Sequence, residues 1–175
     1  ALSVIYSMPK PLVSYFLSQY GEEQTEIVLK GSLSNRPVCV RLSENLSETE
    51  RDLVLENWMN SGIEAKQHPL LEYAYELSVI GNLKDDVYFA KGFYTVQDIS
   101  SMLVGEIAGI RENDYIVDVW SAPGGKAWHA GDKLRKTGTV DARDVSDSKV
   151  DLILENKERL HADNLLVKVW DARQK

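Results

Sequence analysis

The residues best suited to chemistry follow an apolar run in the second half of the chain. Residues 115–120 read Tyr-Ile-Val-Asp-Val-Trp, and a turn with Gly124 and Gly125 connects this run to a helical segment. Glycine lets the backbone approach a ligand closely, and the unpaired amides of a helix N-terminus favour an anionic group such as a carboxylate. Pro-Gly-Gly alone usually marks an ordinary turn. With a strand before it and a helix after it, a ligand loop is an equally good interpretation.

Two aspartates follow the next two apolar runs. Asp144 lies 18 residues beyond Lys126 (from 126 to 144), and Asp171 follows the run 165–170. In dinucleotide-binding folds an acidic residue about 20 residues beyond the glycines accepts the hydroxyls of a ribose. Asp171 is suited to accept a hydrogen bond from an adenine amino group. A helix cap or a solvated loop charge explains either aspartate alone, but the conjunction with the glycine turn favours a nucleoside ligand.

The glycine spacing excludes two common phosphate-binding loops. Neither G-x-G-x-x-G nor G-x-x-x-x-G-K-[ST] occurs in the chain. A pyrophosphate cradle is therefore not predicted, and a dehydrogenase is the least favoured of the functions considered.

Cysteine and histidine usage predicts neither a disulfide nor a metal site. Cys39 is the single cysteine, which excludes a disulfide framework and favours a reducing compartment. It lies in an apolar run, where cysteine usually behaves as a small buried hydrophobe. His68, His129 and His161 lack metal-ligand spacing. We expect these histidines to be structural or surface residues without partners.

The second half of the chain predicts half of a doubly wound α/β sheet. A nearly continuous apolar run such as 115–120 is typical of a strand buried on both faces. Asp98 is suited to be the N-cap of a helix that reaches Ile110. Strand, helix, strand, helix and strand with short connections make a Rossmann-like order. After the first strand these elements cover 126–135, 137–145, 146–161 and 165–170.

The first half predicts a small α+β domain over residues 1–90, followed by the sheet domain over 91–175. Ser47 and Glu50 form the signature of a capping box that opens a helix. An earlier helix covers residues 11–20 and stops at Gly21. Short apolar runs predict strands at 26–29, 38–42, 63–66, 73–80 and 87–90.

The composition is that of a globular protein, with 43% hydrophobic and 27% charged residues. No apolar run approaches the roughly 20 residues of a membrane span, and no secretory signal pattern opens the sequence. We therefore expect no membrane partner and a cytoplasmic location. The net charge of −7 argues against a nucleic-acid ligand unless basic residues form a local patch. The candidates for such a patch are Lys133, Arg135, Lys136, Lys157 and Arg159.

Two segments resemble a known enzyme family. Residues 118–126 read Asp-Val-Trp-Ser-Ala-Pro-Gly-Gly-Lys, and residues 92–101 read Gly-Phe-Tyr-Thr-Val-Gln-Asp-Ile-Ser-Ser. Both resemble the corresponding segments of the NOL1/NOP2/Sun family of RNA cytosine-5 methyltransferases, which use S-adenosylmethionine (AdoMet). The resemblance covers nearly the whole chain and is nearest to the bacterial 16S rRNA branch.

This resemblance implies a cofactor, a partner and a set of contacts. The first domain is similar to the family's small RNA-binding module, so RNA, and rRNA in particular, is the expected partner. Asp144 corresponds to the ribose ligand of AdoMet and Asp171 to the adenine contact. The residues that correspond to the loop around the methionine part are Trp120, Ser121, Ala122, Pro123, Gly124, Gly125 and Lys126.

The chain also departs from the family pattern. The family's catalytic cysteines, the first of which attacks cytosine C6 while the methyl group moves to C5, correspond to segments beyond the third strand, and Cys39 does not replace them. Trp120 stands where the family usually has a small residue or a cysteine, and Trp128 is bulky for its position. We therefore expect a chain that is truncated after the third strand and is not itself catalytic.

An alternative to the methyltransferase remains open for this chain. It is a non-catalytic fragment that binds AdoMet or RNA, or a scaffold that associates with itself. The run 115–120 would form an apolar sheet edge, and exposed edges recruit partners.

Overall fold

The computed structural model describes residues 1–34, 37–78 and 81–174. The chain divides into two compact units, Ala1–Arg36 and Pro37–Lys175, so the boundary predicted at residue 90 falls inside the second unit. Within the described ranges, none of the helices has both the length and the apolar character needed to cross a membrane.

The first unit is helical. It contains α1 (Leu2–Ile5) and α2 (Lys10–Leu33). Gly21 interrupts the helical geometry of α2 with a φ of 73°, in agreement with the stop predicted there. The strand predicted at 26–29 is wrong, because this stretch is part of α2. Glu26 and Lys30, one helical turn apart, form an ion pair of 3.2 Å that supports the helix.

The second unit begins with an antiparallel sheet of four strands in the order β2-β3-β1-β4. Its elements are β1 (Val38–Leu42), α3 (Glu48–Asn60), β2 (Glu64–Gln67), β3 (Ala74–Ser78), α4 (Val87–Ala90) and β4 (Tyr94–Val96). The central strand β1 aligns Val40 with Tyr75 of β3 and with Val96 of β4. Trp58 of α3 is fully buried and meets the ring of Tyr94 edge-on, 5.0 Å between centroids.

The strands predicted at 38–42, 63–66 and 73–80 are confirmed as β1, β2 and β3, with shifted bounds for the last two. Residues 79 and 80 lie outside the described residues.

Side-chain caps decide where two helices of this sheet region begin. Ser47 Oγ accepts the amide of Glu50 at 3.3 Å, and the Glu50 carboxylate accepts the amide of Ser47 at 2.8 Å, so the predicted capping box is confirmed. The strand predicted at 87–90 is wrong. Asp86 Oδ1 accepts the backbone amides two and three residues later, at 2.7 and 3.0 Å, and this N-cap starts α4.

A parallel sheet of three strands in the order β5-β6-β7 completes the second unit. Its elements are α5 (Ile99–Ile107), β5 (Tyr115–Asp118), α6 (Gly125–Lys133), β6 (Thr139–Asp144), α7 (Asp147–Arg159) and β7 (Leu165–Val169). Ile116 of β5 aligns with Val140 of β6, and Ala142 of β6 aligns with Val167 of β7. The predicted half of a Rossmann-like sheet is confirmed. The expectation that the run 115–120 is buried on both faces is wrong, because the face of β5 with Tyr115 and Val117 is exposed and the strand ends at Asp118.

Helices α5 and α6 approach each other closely at Gly105. A Cβ on this glycine would lie 2.5 Å from Nδ1 and 2.7 Å from Cε1 of His129, a ring that is fully buried. The helix predicted to reach Ile110 ends at Ile107 instead. Gly109 adopts a φ of 64°, and a left-handed residue shortly after the last turn ends a helix.

We expect Gly105→Ala to lower the free energy of unfolding by about 1–3 kcal/mol, because the new methyl group must displace a buried imidazole. Gly31→Ala is the matched control: it also lies in a helix, has no atom within 4 Å of its Cβ position, and should gain up to about 1 kcal/mol. Urea denaturation followed by circular dichroism measures both. Stabilisation by Gly105→Ala would contradict the close approach.

Candidate functional site

Backbone hydrogen bonds bring the carboxyl ends of the three parallel strands together. The amide of Ser121, in the turn after β5, donates to the carbonyl of Arg143 on β6 at 3.0 Å. The amide of Trp170, just after β7, donates to the carbonyl of Asp144 at 2.8 Å. The turn after β5 and the end of β7 therefore both lie against the end of β6.

The side chain of Asp144 is buried at this junction. Its Oδ2 accepts the amide of Ala122 at 3.0 Å, and its Oδ1 accepts the amide of Val145 at 2.8 Å. The ammonium of Lys149 lies 3.5 Å from Oδ1. Burial raises the pKa of Asp144, but the two amides and Lys149 outweigh burial, so the pKa is lowered and the carboxylate stays ionised at neutral pH.

The turn between β5 and α6 depends on a glycine. The Ala122–Pro123 peptide bond is cis, and the amide of Gly124 donates to the carbonyl of Ser121 at 2.6 Å. Gly124 adopts a φ of 106°, and a Cβ there would lie 2.7 Å from Cζ2 of the buried Trp128. The bulky indole of Trp128 is therefore accommodated because residue 124 has no side chain.

This turn opens onto a cleft of about 260 Å³. Trp120 lines the cleft, but its side chain is 79% exposed, so most of the indole faces solvent and does not fill the cleft. The hydroxyl of Ser121 is buried and has no hydrogen-bond partner among the described residues. The other lining residues are Val96, Gln97, Asp98, Ser101, Asp118, Ala122, Pro123, Gly125 and Lys126.

Neither Asp144 nor Asp171, which lies two residues beyond the end of β7, is among the residues described as lining this cleft. Arg173 Nε donates to Asp171 Oδ1 at 2.9 Å, and Arg173 Nη2 donates to Asp171 Oδ2 at 2.6 Å. These contacts lower the pKa of Asp171 to about 2. The structure therefore joins Asp144 to the glycine turn directly, and Asp171 only through the neighbouring Trp170.

Residues 107–175 match the family model described as 16S rRNA methyltransferase RsmB/F. A "probable ribosomal RNA small subunit methyltransferase B" of Bacillus subtilis is 30% identical over 96% of this chain and 37% of its own length. A tRNA (cytosine(72)-C(5))-methyltransferase of Pyrococcus horikoshii is 34% identical over 49% of this chain and 22% of its own length. The resemblance to the NOL1/NOP2/Sun family is therefore confirmed. The chain spans less than two fifths of either relative.

Two solved structures share the fold. NSun6 from Pyrococcus horikoshii, solved with SFG, superposes with a TM-score of 0.84 at 17% identity, over 95% of this chain and 66% of NSun6. A methyltransferase homolog from the same organism gives a TM-score of 0.75 at 20% identity, over 97% of this chain and 54% of the homolog. Identities this low establish a common fold and no more.

A buried arginine holds Gln97, one of the residues that line the cleft. Arg41 Nε donates to Gln97 Oε1 at 2.8 Å, and its Nη1 pairs with Asp132 of α6. Sequence reasoning missed Arg41, because its partners are 56 and 91 residues away along the chain. The sequence pointed to this contact only through Gln97, which lies in the segment 92–101 that resembles the family.

The expectation that His129 has no partner is wrong. Its Nε2 lies 3.2 Å from Glu44 Oε1 and 3.9 Å from Glu106 Oε1, without the alignment of a hydrogen bond. The ligand atoms of these three residues lie within 4.8 Å of one another, close enough to surround one metal ion. Lys133 Nζ already supplies a cation there, at 2.6 Å from Glu106 Oε1 and 3.3 Å from Glu44 Oε1.

Three of the five residues proposed for a basic patch are engaged by other groups of the protein. Lys157 Nζ donates to the carbonyl of Leu165 at 2.7 Å. Lys133 bridges the two glutamates near His129. Arg159 donates to the carbonyl of Phe89 at 2.8 Å, and its guanidinium lies 4.1 Å from the centroid of the Phe89 ring. These cations therefore hold helices in place and are not free to contact phosphates.

Stability should depend on the protonation of His129. Burial lowers the pKa of its imidazole, despite the opposing contact with Glu44, so the folded protein favours the neutral ring. A histidine with a lower pKa in the folded state binds its proton more tightly when unfolded. Stability is therefore lost as the pH falls below about 6.5. This group should contribute at most about 1.4 kcal/mol per pH unit.

We expect His129→Gln to flatten the dependence of unfolding free energy on pH below about 6.5. Chemical denaturation at a series of pH values measures the slope. His161→Gln, at an exposed histidine, is the control and should keep the wild-type slope. An unchanged slope in His129→Gln would show that other groups cause the dependence.

Proposed function

We propose that residues 91–175 are the cofactor-binding part of an AdoMet-dependent RNA cytosine-5 methyltransferase that acts on rRNA. One observation carries the proposal: the buried carboxylate of Asp144 ties the glycine turn to the ends of the parallel strands. Ligands of open α/β sheets bind outside the carboxyl ends of the strands, where this carboxylate lies. The names of the relatives, and SFG (an AdoMet analogue) in the NSun6 structure, support the same cofactor and substrate class.

The residues of the cleft fit AdoMet together with Asp144, which is bonded to the lining residue Ala122. The unpaired, buried hydroxyl of Ser121 offers a hydrogen bond that the protein does not use. The first amides of α6, at Gly125 and Lys126, suit the carboxylate of the methionine part. Each oxygen of Asp144 has two lone pairs, so acceptor positions remain for ribose hydroxyls. Bound AdoMet would supply an electrophilic methyl group.

Each residue then has a role in holding the cofactor. Asp144 would orient the ribose, and Asp171 would accept from the adenine amino group once Arg173 releases it. The residues proposed around the methionine part are Trp120, Ser121, Ala122, Pro123, Gly124, Gly125 and Lys126. In the same proposal residues 1–90 form the RNA-binding module, residues 91–175 form the first half of the methyltransferase domain, and the protein is cytoplasmic.

The described residues do not supply an activated nucleophile. Methylation at cytosine C5 needs a thiolate that adds to C6, and thiolates form where the pKa is low. Burial and the nearby carboxylate of Glu76 raise the pKa of Cys39. We therefore propose that Cys39 is structural and that catalytic cysteines belong to the part of the family fold that this chain does not span.

We expect the chain to bind AdoMet saturably in titration calorimetry, and Asp144→Ala to weaken binding about tenfold or more, because it removes a charged acceptor. Asp151→Ala, at an exposed site on α7, is the matched control and should bind normally. Circular dichroism checks that each variant is folded. A folded wild-type chain that gives no saturable heat would contradict the cofactor site.

The scaffold alternative is favoured by the outer edge of β5. This strand is hydrogen-bonded to β6 on one side, and among the described strands none pairs with its other side. Tyr115 is 61% exposed and Val117 45% exposed. One face of β5 is therefore open to solvent, whereas a strand buried on both faces would have it covered. An apolar cleft of about 390 Å³ lies beside the same strand. Unpaired edges of this kind recruit other strands.

We expect the wild-type chain to form dimers or larger species at high concentration, and Val117→Lys to reduce them, because a charge on an edge strand opposes pairing. Light scattering over a concentration series measures the mass. Val87→Lys replaces an equally exposed valine of α4 and should associate like the wild type. A wild-type chain that stays monomeric at high concentration would count against self-association through β5.

A further inference from the structure

Lys149, in the first turn of α7, stands between two residues of the proposed cofactor site. Its ammonium lies 3.5 Å from Asp144 Oδ1 and 6.0 Å from the centroid of the Trp120 ring. The side chain of Lys149 is 43% exposed, whereas that of Asp144 is almost completely buried. The lysine head is therefore the movable member of this ion pair.

The hydrogen bonds of Asp144 show which acceptor positions of its carboxylate are left for Lys149 or a ligand. Oδ2 accepts from the amide of Ala122, and Oδ1 accepts from the amide of Val145. These two bonds are backbone contacts that hold the turn and the end of β6. The remaining acceptor capacity is what a ligand hydroxyl would use, and Lys149 is the only other group that contacts the carboxylate in the described part of the chain.

We propose that Lys149 competes with the ribose hydroxyls of the cofactor for Asp144 and is thereby a specificity-determining residue of this site. The inference rests on the function proposed above. On binding of a ribose, the ammonium leaves Asp144 and moves toward the face of Trp120. An indole is the best aromatic partner for a cation, and 6.0 Å is the outer limit of such a contact.

The exposed indole of Trp120 is available to receive the displaced ammonium. The residue is 79% exposed and its ring lies 6.0 Å from Lys149 Nζ, so the cation needs only a small movement to reach it. A ligand with vicinal hydroxyls can replace the ammonium on Oδ1 and also reach the remaining acceptor position of Oδ2. A nucleoside without them would leave Lys149 on Asp144.

Two ligands of different charge distinguish competition for Asp144 from electrostatic repulsion by Lys149. AdoMet has a positive sulfonium, whereas S-adenosylhomocysteine has the same ribose and a neutral sulfur. Displacement of Lys149 from Asp144 affects both ligands equally, because both present the same hydroxyls. Repulsion by the lysine charge affects AdoMet alone, because the two ligands differ in net charge by one unit.

Titration calorimetry with both ligands tests the inference. We expect Lys149→Met to bind AdoMet and S-adenosylhomocysteine roughly two- to fivefold more tightly than the wild type, the range of a partly exposed ion pair. Lys149→Arg, which keeps the cation, should bind both like the wild type. Lys66→Met removes the same charge at an exposed position on β2, outside the cleft, and should change neither affinity.

Three outcomes would overturn the inference. If the wild type binds and Lys149→Met binds equally or more weakly, the lysine does not compete. If Lys149→Met tightens AdoMet binding alone, the effect is one of charge and not of ribose displacement. If neither the wild type nor Lys149→Met binds either ligand, both the cofactor site and the role of Lys149 are contradicted. If the wild type binds AdoMet, the proposed cofactor site stands and only the role of Lys149 is in question.

Discussion

The buried carboxylate of Asp144 is the constraint on which the candidate site depends. An ionised carboxylate removed from water costs several kcal/mol unless other groups replace its hydration. The amides of Ala122 and Val145 and the ammonium of Lys149 replace it here. Because Ala122 belongs to the turn after β5, the charge at one strand end fixes the conformation of the neighbouring loop. The contacts that compensate the charge of Asp144 therefore set the shape of the cleft. The glycines of the turn let the backbone adopt the conformation that these contacts require.

A second buried charge holds α6, the helix that begins at this turn. Arg41 of β1 donates to Gln97 and pairs with Asp132 of α6. Breaking such a pair by removing one partner leaves a buried charge uncompensated, which typically costs about 3–5 kcal/mol. Gln97 in turn packs near the helix start, with Cδ 3.8 Å from the position of a Cβ on Gly125. The amides proposed to bind a carboxylate are thus restrained from both sheets of the second unit, through side chains that need not touch the ligand.

Local signals in the sequence predicted most of the fold, and long-range contacts explain what they missed. A capping box spans four residues, so Ser47 could be assigned without a structure. The apolar stretch 87–90 was assigned to a strand because composition does not distinguish four residues of strand from one helical turn, whereas the cap at Asp86 does. The partners of His129 lie on other elements, and no spacing in the sequence brings Glu44 beside it. The motif at 120–126 predicted where the cleft lies; the cofactor roles of these residues stay predictions.

The charge balance at the strand ends determines how a ligand gains affinity there. Asp144 and Asp171 each hold a cation from this chain, Lys149 at 3.5 Å and Arg173 at 2.6 Å. A hydroxyl or amino group that binds either aspartate exchanges an existing contact, and an exchanged hydrogen bond contributes only about 0.5–1.5 kcal/mol. Two such exchanges fall far short of the roughly 8 kcal/mol of a micromolar complex. Most of the affinity must then come from apolar burial and from groups that hold no protein partner among the described residues, which are the first amides of α6 and the hydroxyl of Ser121. The two aspartates would thus make the site selective for a nucleoside. The binding free energy would come mainly from groups that have no partner in the free protein.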